Sequence, residues 1–278
     1  MRFDRAITMA AHALRGPRPV AAALPILMYH SVSSVDDTRR HAYFVTNTRP
    51  GVFEDHLRWL RDEGFRTLSL EDARAFIEGA TLARPSVVLT FDDGFADVAE
   101  TVAPMLARYG FTASVFLPTA YIGDARREFL GRPCLTWAEV RDLHAAGIEF
   151  GSHTVSHPKL VELDREQRRR ELTESAARIR GEIGEMVTMF SYPFAFPEGD
   201  GEFVADYRAM LRDTGYRVAV TTRIGSAVSG DDTLLLRRLP INSADDLKLF
   251  AAKVSGAYDW MQAPQRLGKR VKAWMARR

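Results

Sequence analysis

The sequence predicts an α/β protein built on a parallel sheet, either closed into a barrel or doubly wound. Short apolar runs alternate with amphipathic segments at least six times along the 278 residues. The runs are apolar enough to be covered on both faces, as strands of parallel sheets are. No glycine-rich dinucleotide motif or Walker phosphate loop is present in the sequence, which weighs against a nucleotide-binding sheet.

The predicted strands are short runs of apolar, β-branched or aromatic residues bounded by turn-forming residues. In chain order they cover residues 25–29 (PILMY), 86–91 (SVVLTF), 112–117 (TASVFL), 148–153 (IEFGSH), 187–192 (VTMFSY) and 216–222 (YRVAVTT).

The predicted helices lie between these strands and carry helical spacing or end signals. In chain order they cover residues 52–65, 96–110, 136–147, 164–184 and 203–215. The first places Phe53, Leu57 and Leu60 on one face. The third begins at Thr136, with Glu139 placed to complete a capping box.

Composition and charge set limits on partners and location. A net charge of +2 gives no general attraction for nucleic acid, and Cys134 has no second cysteine with which to form an internal disulfide. Near the N-terminus, Arg15, Pro17 and Arg18 interrupt the apolar stretch that a signal peptide needs. There is also no run of about 18 apolar residues that could span a bilayer. We therefore expect a cytoplasmic protein.

We predict three regions along the chain. They are an N-terminal extension (1–19), a single main domain (20–262) and a basic C-terminal tail (263–278). Residues 265–278 carry six basic side chains and no acidic one, with Trp274 among them. Two interpretations of the tail are open: a frayed basic end, or a helix on a membrane surface that contacts anionic lipid.

Polar side chains follow four of the predicted strands at the point where each strand ends. Because the carboxyl ends of parallel strands meet at one rim, we expect these groups to lie together. The four groups are Tyr29-His30, Asp92-Asp93, His153 to His157, and Tyr192-Pro193-Phe194.

Two of these groups together predict a metal site. His153 and His157 are four residues apart and could face one side of a helical turn, although a chance pair is possible among seven histidines. Two histidines and one carboxylate leave coordination positions open for water and substrate. Asp92 and Asp93 cannot both point at the same atom, so one would bind the metal and the other would act as a base. Gly94 follows them and permits an unusual backbone angle.

The segments TFDDG and GSHTVSH resemble the first two motifs of the polysaccharide deacetylase family (NodB homology, carbohydrate esterase family 4), and the similarity runs from about residue 24 to 241. The resemblance implies a distorted (β/α) barrel of about seven parallel strands. It implies metal-dependent removal of acetyl groups from N-acetylated glycans, with Zn²⁺ as the default metal and Co²⁺ or Ni²⁺ as substitutes. It also implies that Asp92 is the base and that Asp93, His153 and His157 hold the metal.

The chain departs from the family's third motif, which usually begins with an arginine that steadies the catalytic aspartate. SYPFAF keeps Pro193 and Phe194 but lacks that arginine. Tyr192, Pro193 and Phe194 would then line the substrate groove, and the Phe194 N–H would help to hold the oxyanion. Arg238 could replace the missing arginine, although a solvated arginine at a strand end is the interpretation we favour.

The chain also lacks the histidine of the family's fifth motif. LPILMYHSV resembles the start of the subgroup related to poly-N-acetylglucosamine deacetylases, in which a histidine of the early strand acts as the acid. By this resemblance, His30 would protonate the leaving amine. The alternative is a histidine that is merely hydrogen-bonded at a strand end.

Two other functions remain open at this point. The two departures fit a non-catalytic, carbohydrate-binding relative of the family. The same metal and water would also serve a deacylase that acts on O-acetyl esters or on another amide.

Overall fold

The computed structural model describes residues 3–15, 23–35 and 45–268, and all elements named below lie within them. The strands are β1 (Ile26–Tyr29), β2 (Ser31–Val32), β3 (Asn47–Thr48), β4 (Arg66–Leu68), β5 (Ser86–Phe91), β6 (Ser114–Leu117), β7 (Glu128–Phe129), β8 (Arg132–Pro133), β9 (Glu149–Ser152), β10 (Met189–Ser191), β11 (Val218–Ile224) and β12 (Leu236–Pro240).

The helices lie mainly between the strands of the large sheet. They are α1 (Phe3–Arg15), α2 (Pro50–Asp62), α3 (Leu70–Ile77), α4 (Ala103–Tyr109), α5 (Trp137–Ala145), α6 (Arg165–Ile183), α7 (Gly201–Asp213) and α8 (Leu247–Val254). A π-helical turn, Val98–Val102, precedes α4, and residues 262–268 are helical.

Seven parallel strands close into a barrel in the order β1-β12-β11-β10-β9-β6-β5. The ring closes because β5 pairs with β1, with Ile26 opposite Val88 and Tyr29 opposite Phe91. β4 pairs with the first half of β5, outside the ring. The predicted barrel of about seven parallel strands is therefore confirmed, and the doubly wound alternative is excluded.

The sequence of β5 shows why the barrel forms. All six residues are buried, and successive side chains point to opposite faces. Val87, Leu89 and Phe91 belong to a cluster that includes the covering helices, whereas Val88 belongs to a second cluster. That second cluster draws side chains from strands around the ring, such as Val218, and from α3. Its strand residues face the interior of the barrel. A strand buried on both faces is typical of a parallel barrel.

Each predicted strand overlaps a strand of the ring, and each predicted helix overlaps an observed helix. The capping box of Thr136 and Glu139 is present at the start of α5. The prediction missed β4 and β12 in the large sheet, together with α1, α3 and α8. α1 occupies most of the predicted N-terminal extension and packs against α8.

The ends of the chain are described only in part. Residues 269–278, which make up most of the predicted basic tail, lie outside the described residues. Among the helices that are described, none combines the length and the hydropathy needed to cross a membrane.

Candidate active site

The barrel brings the predicted polar groups together at the carboxyl end of its strands. Asp92 and Asp93 follow β5, His153 follows β9, and His30 follows β1. Ser191, the last residue of β10, lies between them and was not predicted.

Asp93, His153 and His157 form a compact set of potential metal ligands. The Asp93 Oδ1 atom lies 3.6 Å from His153 Nε2 and 3.5 Å from His157 Nε2. The three ligand atoms all lie within 4.8 Å of one another. Among the described residues, this is the only group of three or more such side chains with that spacing.

Both imidazoles are held in position by neighbouring groups. The Nδ1–H of His153 donates a 2.7 Å hydrogen bond to the Ser191 carbonyl, which leaves the Nε2 lone pair facing Asp93. The His157 ring packs between Phe129 and Phe194, with centroid distances of 5.0 and 4.7 Å. Phe129 belongs to the β7–β8 hairpin and could not be assigned to the site from the sequence.

The segment that carries the two histidines is an irregular loop, so the expected helical turn is wrong. Thr154 and His157 both adopt positive φ angles, 70° and 56°. The Glu171 carboxylate of α6 accepts hydrogen bonds from the N–H groups of Val155 (2.7 Å) and Ser156 (2.9 Å). Glu171 therefore ties the loop to α6, and no sequence pattern assigned this residue to the site.

Unusual backbone angles are concentrated at the site. Of the five described non-glycine residues with positive φ, four are at the site, including Asp93 (73°) and Phe194 (60°). Gly94 follows Asp93 with φ 59°, and a Cβ there would lie 2.8 Å from the Leu117 Cδ2 atom. The special backbone predicted at Gly94 is confirmed. Such angles persist only where the surroundings hold them, as at functional sites.

The donor set fits a divalent cation. Burial, and then the charge of Asp92, raise the pKa of Asp93 to about 8, so an ionised Asp93 is unfavourable without a nearby positive charge. Burial lowers the pKa of His153 to about 3 and also lowers that of His157, so both rings are neutral and able to bind metal. Two imidazole nitrogens and one carboxylate oxygen suit zinc and similar metals.

Asp92 forms a buried pair with Arg238, and the expectation of a solvated Arg238 is therefore wrong. The Nη1 and Nη2 groups of the guanidinium donate hydrogen bonds to Oδ1 and Oδ2 of Asp92, at 2.8 and 2.7 Å. Its other N–H groups donate to Thr221 O, Thr90 Oγ1 and Ser191 Oγ, so all five donors are satisfied. Arg238 lies inside the barrel on β12 and makes with Asp92 the kind of contact that the resemblance assigns to the missing arginine.

Arg238 also sets the charge of Asp92. Burial alone would raise the pKa of this carboxyl, but the charge of Arg238 and its hydrogen bonds hold it well below its ordinary value. Asp92 is thus ionised and fixed in orientation.

His30 lies beside Asp92, with its Nε2 atom 4.0 Å from Asp92 Oδ2 and its side chain 19% exposed. Burial lowers the pKa of His30 to about 4, and the charge of Arg238 adds to this effect while Asp92 opposes it. The ring is therefore neutral near pH 7. If His30 acts as an acid, it must first receive a proton during the reaction.

The predicted groove residues are only partly available to a substrate. Tyr192 is buried in an aromatic cluster with Phe196 and Tyr207, and Pro193 is buried as well. Their side chains do not line an open groove, which corrects that prediction. Phe194, by contrast, is 48% exposed next to His157, and it is the groove residue that a substrate can contact.

The barrel and this set of residues agree with what the resemblance to the polysaccharide deacetylase family implies. The family model described as "Polysaccharide deacetylase" matches residues 79–219, just over half of the chain, and the chain belongs to this family. YxkH of Bacillus subtilis (strain 168), a protein named for the polysaccharide deacetylases, is 29% identical over 234 residues, covering 84% of this chain and 76% of that protein.

A second curated relative is the poly-beta-1,6-N-acetyl-D-glucosamine N-deacetylase of Staphylococcus aureus (strain MSSA476). It is 23% identical over 137 residues, which is 46% of this chain and 47% of that protein. The chain thus aligns with about half the length of that relative.

Solved structures show the same fold. The Streptococcus pyogenes deacetylase PplD, in complex with acetate, has a TM-score of 0.73 at 24% identity, over 84% of this chain and 99% of that one. IcaB from Ammonifex degensii has a TM-score of 0.68 at 22% identity, over 84% and 97%.

Proposed function

We propose that the protein is a metal-dependent deacetylase that hydrolyses N-acetyl groups of an N-acetylated glycan, giving acetate and a free amino sugar. The observation that carries this proposal is the Asp93–His153–His157 set beside the buried Asp92–Arg238 pair. The likeness to the Staphylococcus aureus enzyme supports the substrate class. Zn²⁺ is the default cation for this donor set, and Co²⁺ or Ni²⁺ would also suit it.

Asp93, His153 and His157 would hold the cation. When bound, it supplies a Lewis acid that polarises the acetyl carbonyl and makes water more acidic. The Phe194 N–H would stabilise the negative oxygen that develops on the acetyl carbon. The position of Phe194 after β10, on the same rim as the metal ligands, supports this role.

Asp92 accepts the proton of the attacking water as the general base. Because Arg238 stabilises its ionised form, Asp92 does not retain this proton, and His30 is the nearby group that can receive it. The lowered pKa of His30 makes its protonated form a stronger acid than free imidazole. It would therefore readily give the proton to the leaving nitrogen, which an amide needs before the amine can depart.

Substitutions of the two aspartates and of His157 test this proposal. We expect Asp93→Ala and His157→Ala to lose bound metal, whereas Asp92→Asn should keep it and lose activity by roughly 10²–10⁴-fold, the contribution of a general base. Metal content is measured by mass spectrometry, and activity by acetate release from N-acetylglucosamine oligomers. Near-full activity of Asp92→Asn would reject the assignment of the base.

The alternative functions are separated by the same assay. A non-catalytic relative would release no acetate from any substrate. One of the two motif departures that favour this alternative, the missing arginine, is offset by the contact of Arg238 with Asp92. A deacylase of another specificity would act on O-acetyl esters or other amides in preference to N-acetylated sugars. A panel of chitooligosaccharides, peptidoglycan fragments and O-acetylated sugars distinguishes these outcomes.

A further inference from the structure

α1 packs on the barrel through its polar side chains. Four of them bond to residues that flank α8, one just before this helix and three after it. The bonds join Asp4 to Tyr258 (3.0 Å), Arg5 to Asp246 (2.7 Å), Thr8 to Trp260 (3.1 Å) and His12 to Ser255 (3.0 Å). The polar face of this helix therefore points inward.

The apolar side chains of α1 point outward. Phe3, Ile7 and Leu14 are 75%, 50% and 87% exposed, and they recur at helical spacing along one face. The alanines between them on this face, Ala6, Ala10 and Ala13, are exposed as well. A helix that packs on a globular protein normally buries its apolar face, and α1 does the reverse. This reversed orientation, rather than the area of the surface, indicates an interaction site.

A second copy of the chain is a poor occupant for this face. A helix of 13 residues is about 20 Å long and about 10 Å wide. One face therefore offers roughly 200 Å², far below the roughly 800 Å² per partner of a stable dimer. A lipid surface has no such requirement, because a short amphipathic helix can lie in the headgroup region and insert its apolar side chains.

The charge next to α1 favours an anionic lipid surface. Trp260 contacts α1, and the helical residues 262–268 follow directly, with Arg266 and Leu267 exposed. The remaining sequence, 269–278, adds five basic residues and no acidic one. Basic side chains beside an inserted apolar face attract phosphate headgroups, and the two contributions together give stable but reversible binding.

We propose that the outward face of α1, formed by Phe3, Ile7 and Leu14, docks the protein on the surface of a bilayer that contains anionic phospholipid. Arg266, which is exposed six residues after Trp260, reinforces this contact. The inference does not depend on the proposed activity, because it concerns a surface that makes no contact with Asp92 or the metal ligands.

The test is sedimentation of the full-length protein with vesicles of phosphatidylcholine and phosphatidylglycerol. We expect binding that weakens on vesicles of phosphatidylcholine alone and at high salt. The variant Phe3→Gln/Ile7→Gln/Leu14→Gln should bind roughly 100-fold more weakly, because three inserted side chains are lost. Gln is a good helix former, so the exposed face should tolerate it.

A matched control is Val161→Gln/Met186→Gln, which removes two exposed apolar side chains elsewhere on the molecule. This variant should bind vesicles as the wild type does. The proposal is overturned if the α1 variant retains wild-type binding, or if the control loses as much. It is also overturned if the wild type is a dimer without lipid and the α1 variant is a monomer, since the face would then bind a second copy.

Discussion

Arg238 is the residue whose environment differs most from what the sequence indicated. Two arginines, Arg237 and Arg238, stand next to each other in β12 and must point to opposite faces. Arg237 pairs with Asp231 at the half-buried surface, whereas Arg238 enters the barrel. The partner of Arg238 is 146 residues away in the sequence, so local pattern could not reveal the pair.

Replacement of Arg238 should affect both stability and activity. Arg238→Met would leave the charge of Asp92 buried without its partner, and we expect a loss of about 3–5 kcal/mol in the free energy of unfolding. Arg238→Lys keeps the charge but cannot hold both oxygens, so it should cost less stability while still lowering kcat. Urea denaturation and acetate release measure the two effects.

Two controls accompany this prediction. Arg237→Met removes the more exposed neighbour and should cost less than about 1 kcal/mol. The double variant Arg238→Met/Asp92→Asn should recover part of the stability lost in Arg238→Met, because neither charge remains unpaired. Equal costs for Arg237→Met and Arg238→Met would contradict the importance of the buried pair.

At the scale of elements, the sequence predicted what depends on local pattern. Six strands of the ring and five helices follow from apolar runs, helical spacing and caps such as Thr136. β12 was missed because LRRLP has two arginines in its centre, and adjacent charged residues are typical of a loop. Only the structure shows that Arg238 pairs with the buried Asp92. The packing of α1 on the barrel was missed because this helix packs through its polar face and leaves its apolar face exposed.

His56 connects three of these elements and gives a pH-dependent prediction. This buried α2 side chain lies 3.1 Å from the Tyr29 hydroxyl of β1 and 3.0 Å from the Asp245 carbonyl, and it stacks on Phe250 of α8. Burial lowers its pKa to about 4, although the contacts with Asp245 oppose this, while Lys253 adds to it. The native state therefore holds His56 neutral.

In the unfolded chain this histidine has its ordinary pKa of about 6.5. Above that pH both states are neutral at His56, and its contribution to stability is complete. As the pH falls from about 6.5 to about 4, the unfolded state binds one more proton, so stability decreases by about 1.4 kcal/mol per pH unit.

The corresponding measurement is urea denaturation of metal-free protein between pH 7 and pH 4. His56→Gln should be less stable at pH 7 but should lose less stability on acidification. The number of protons taken up on unfolding, given by the slope of the unfolding free energy against pH, should fall by about one. A slope in His56→Gln identical to that of the wild type would show that His56 titrates normally in the native state.

At the scale of the whole molecule, closure of the barrel is what makes the site. The metal ligands, Asp92 and His30 all follow strand ends, so their convergence could be predicted once a parallel fold was inferred. The contacts that hold these residues in place could not be predicted. Ser191 and Glu171 act through a main-chain carbonyl and a carboxylate on main-chain N–H groups, and such contacts leave no motif in the sequence.

Metal binding should therefore stabilise the whole fold, because the ligands come from strands β5 and β9 and are aligned only in the native state. At a free Zn²⁺ concentration about 100 times the Kd, the gain is about 2.7 kcal/mol, which corresponds to a rise in Tm of about 5–10 °C. Thermal unfolding with added Zn²⁺, and again with a chelator, measures this shift.

Two variants show where the cation binds. Asp92→Asn should keep the Zn²⁺-dependent rise in Tm although it loses activity, because Asp92 is bound to Arg238 rather than to the metal. Asp93→Asn should lose the rise, and without metal it should be at least as stable as the wild type, because Asn is neutral without the protonation that burial imposes on Asp93. A full Zn²⁺-dependent rise in Asp93→Asn would mean that the stabilising cation binds elsewhere.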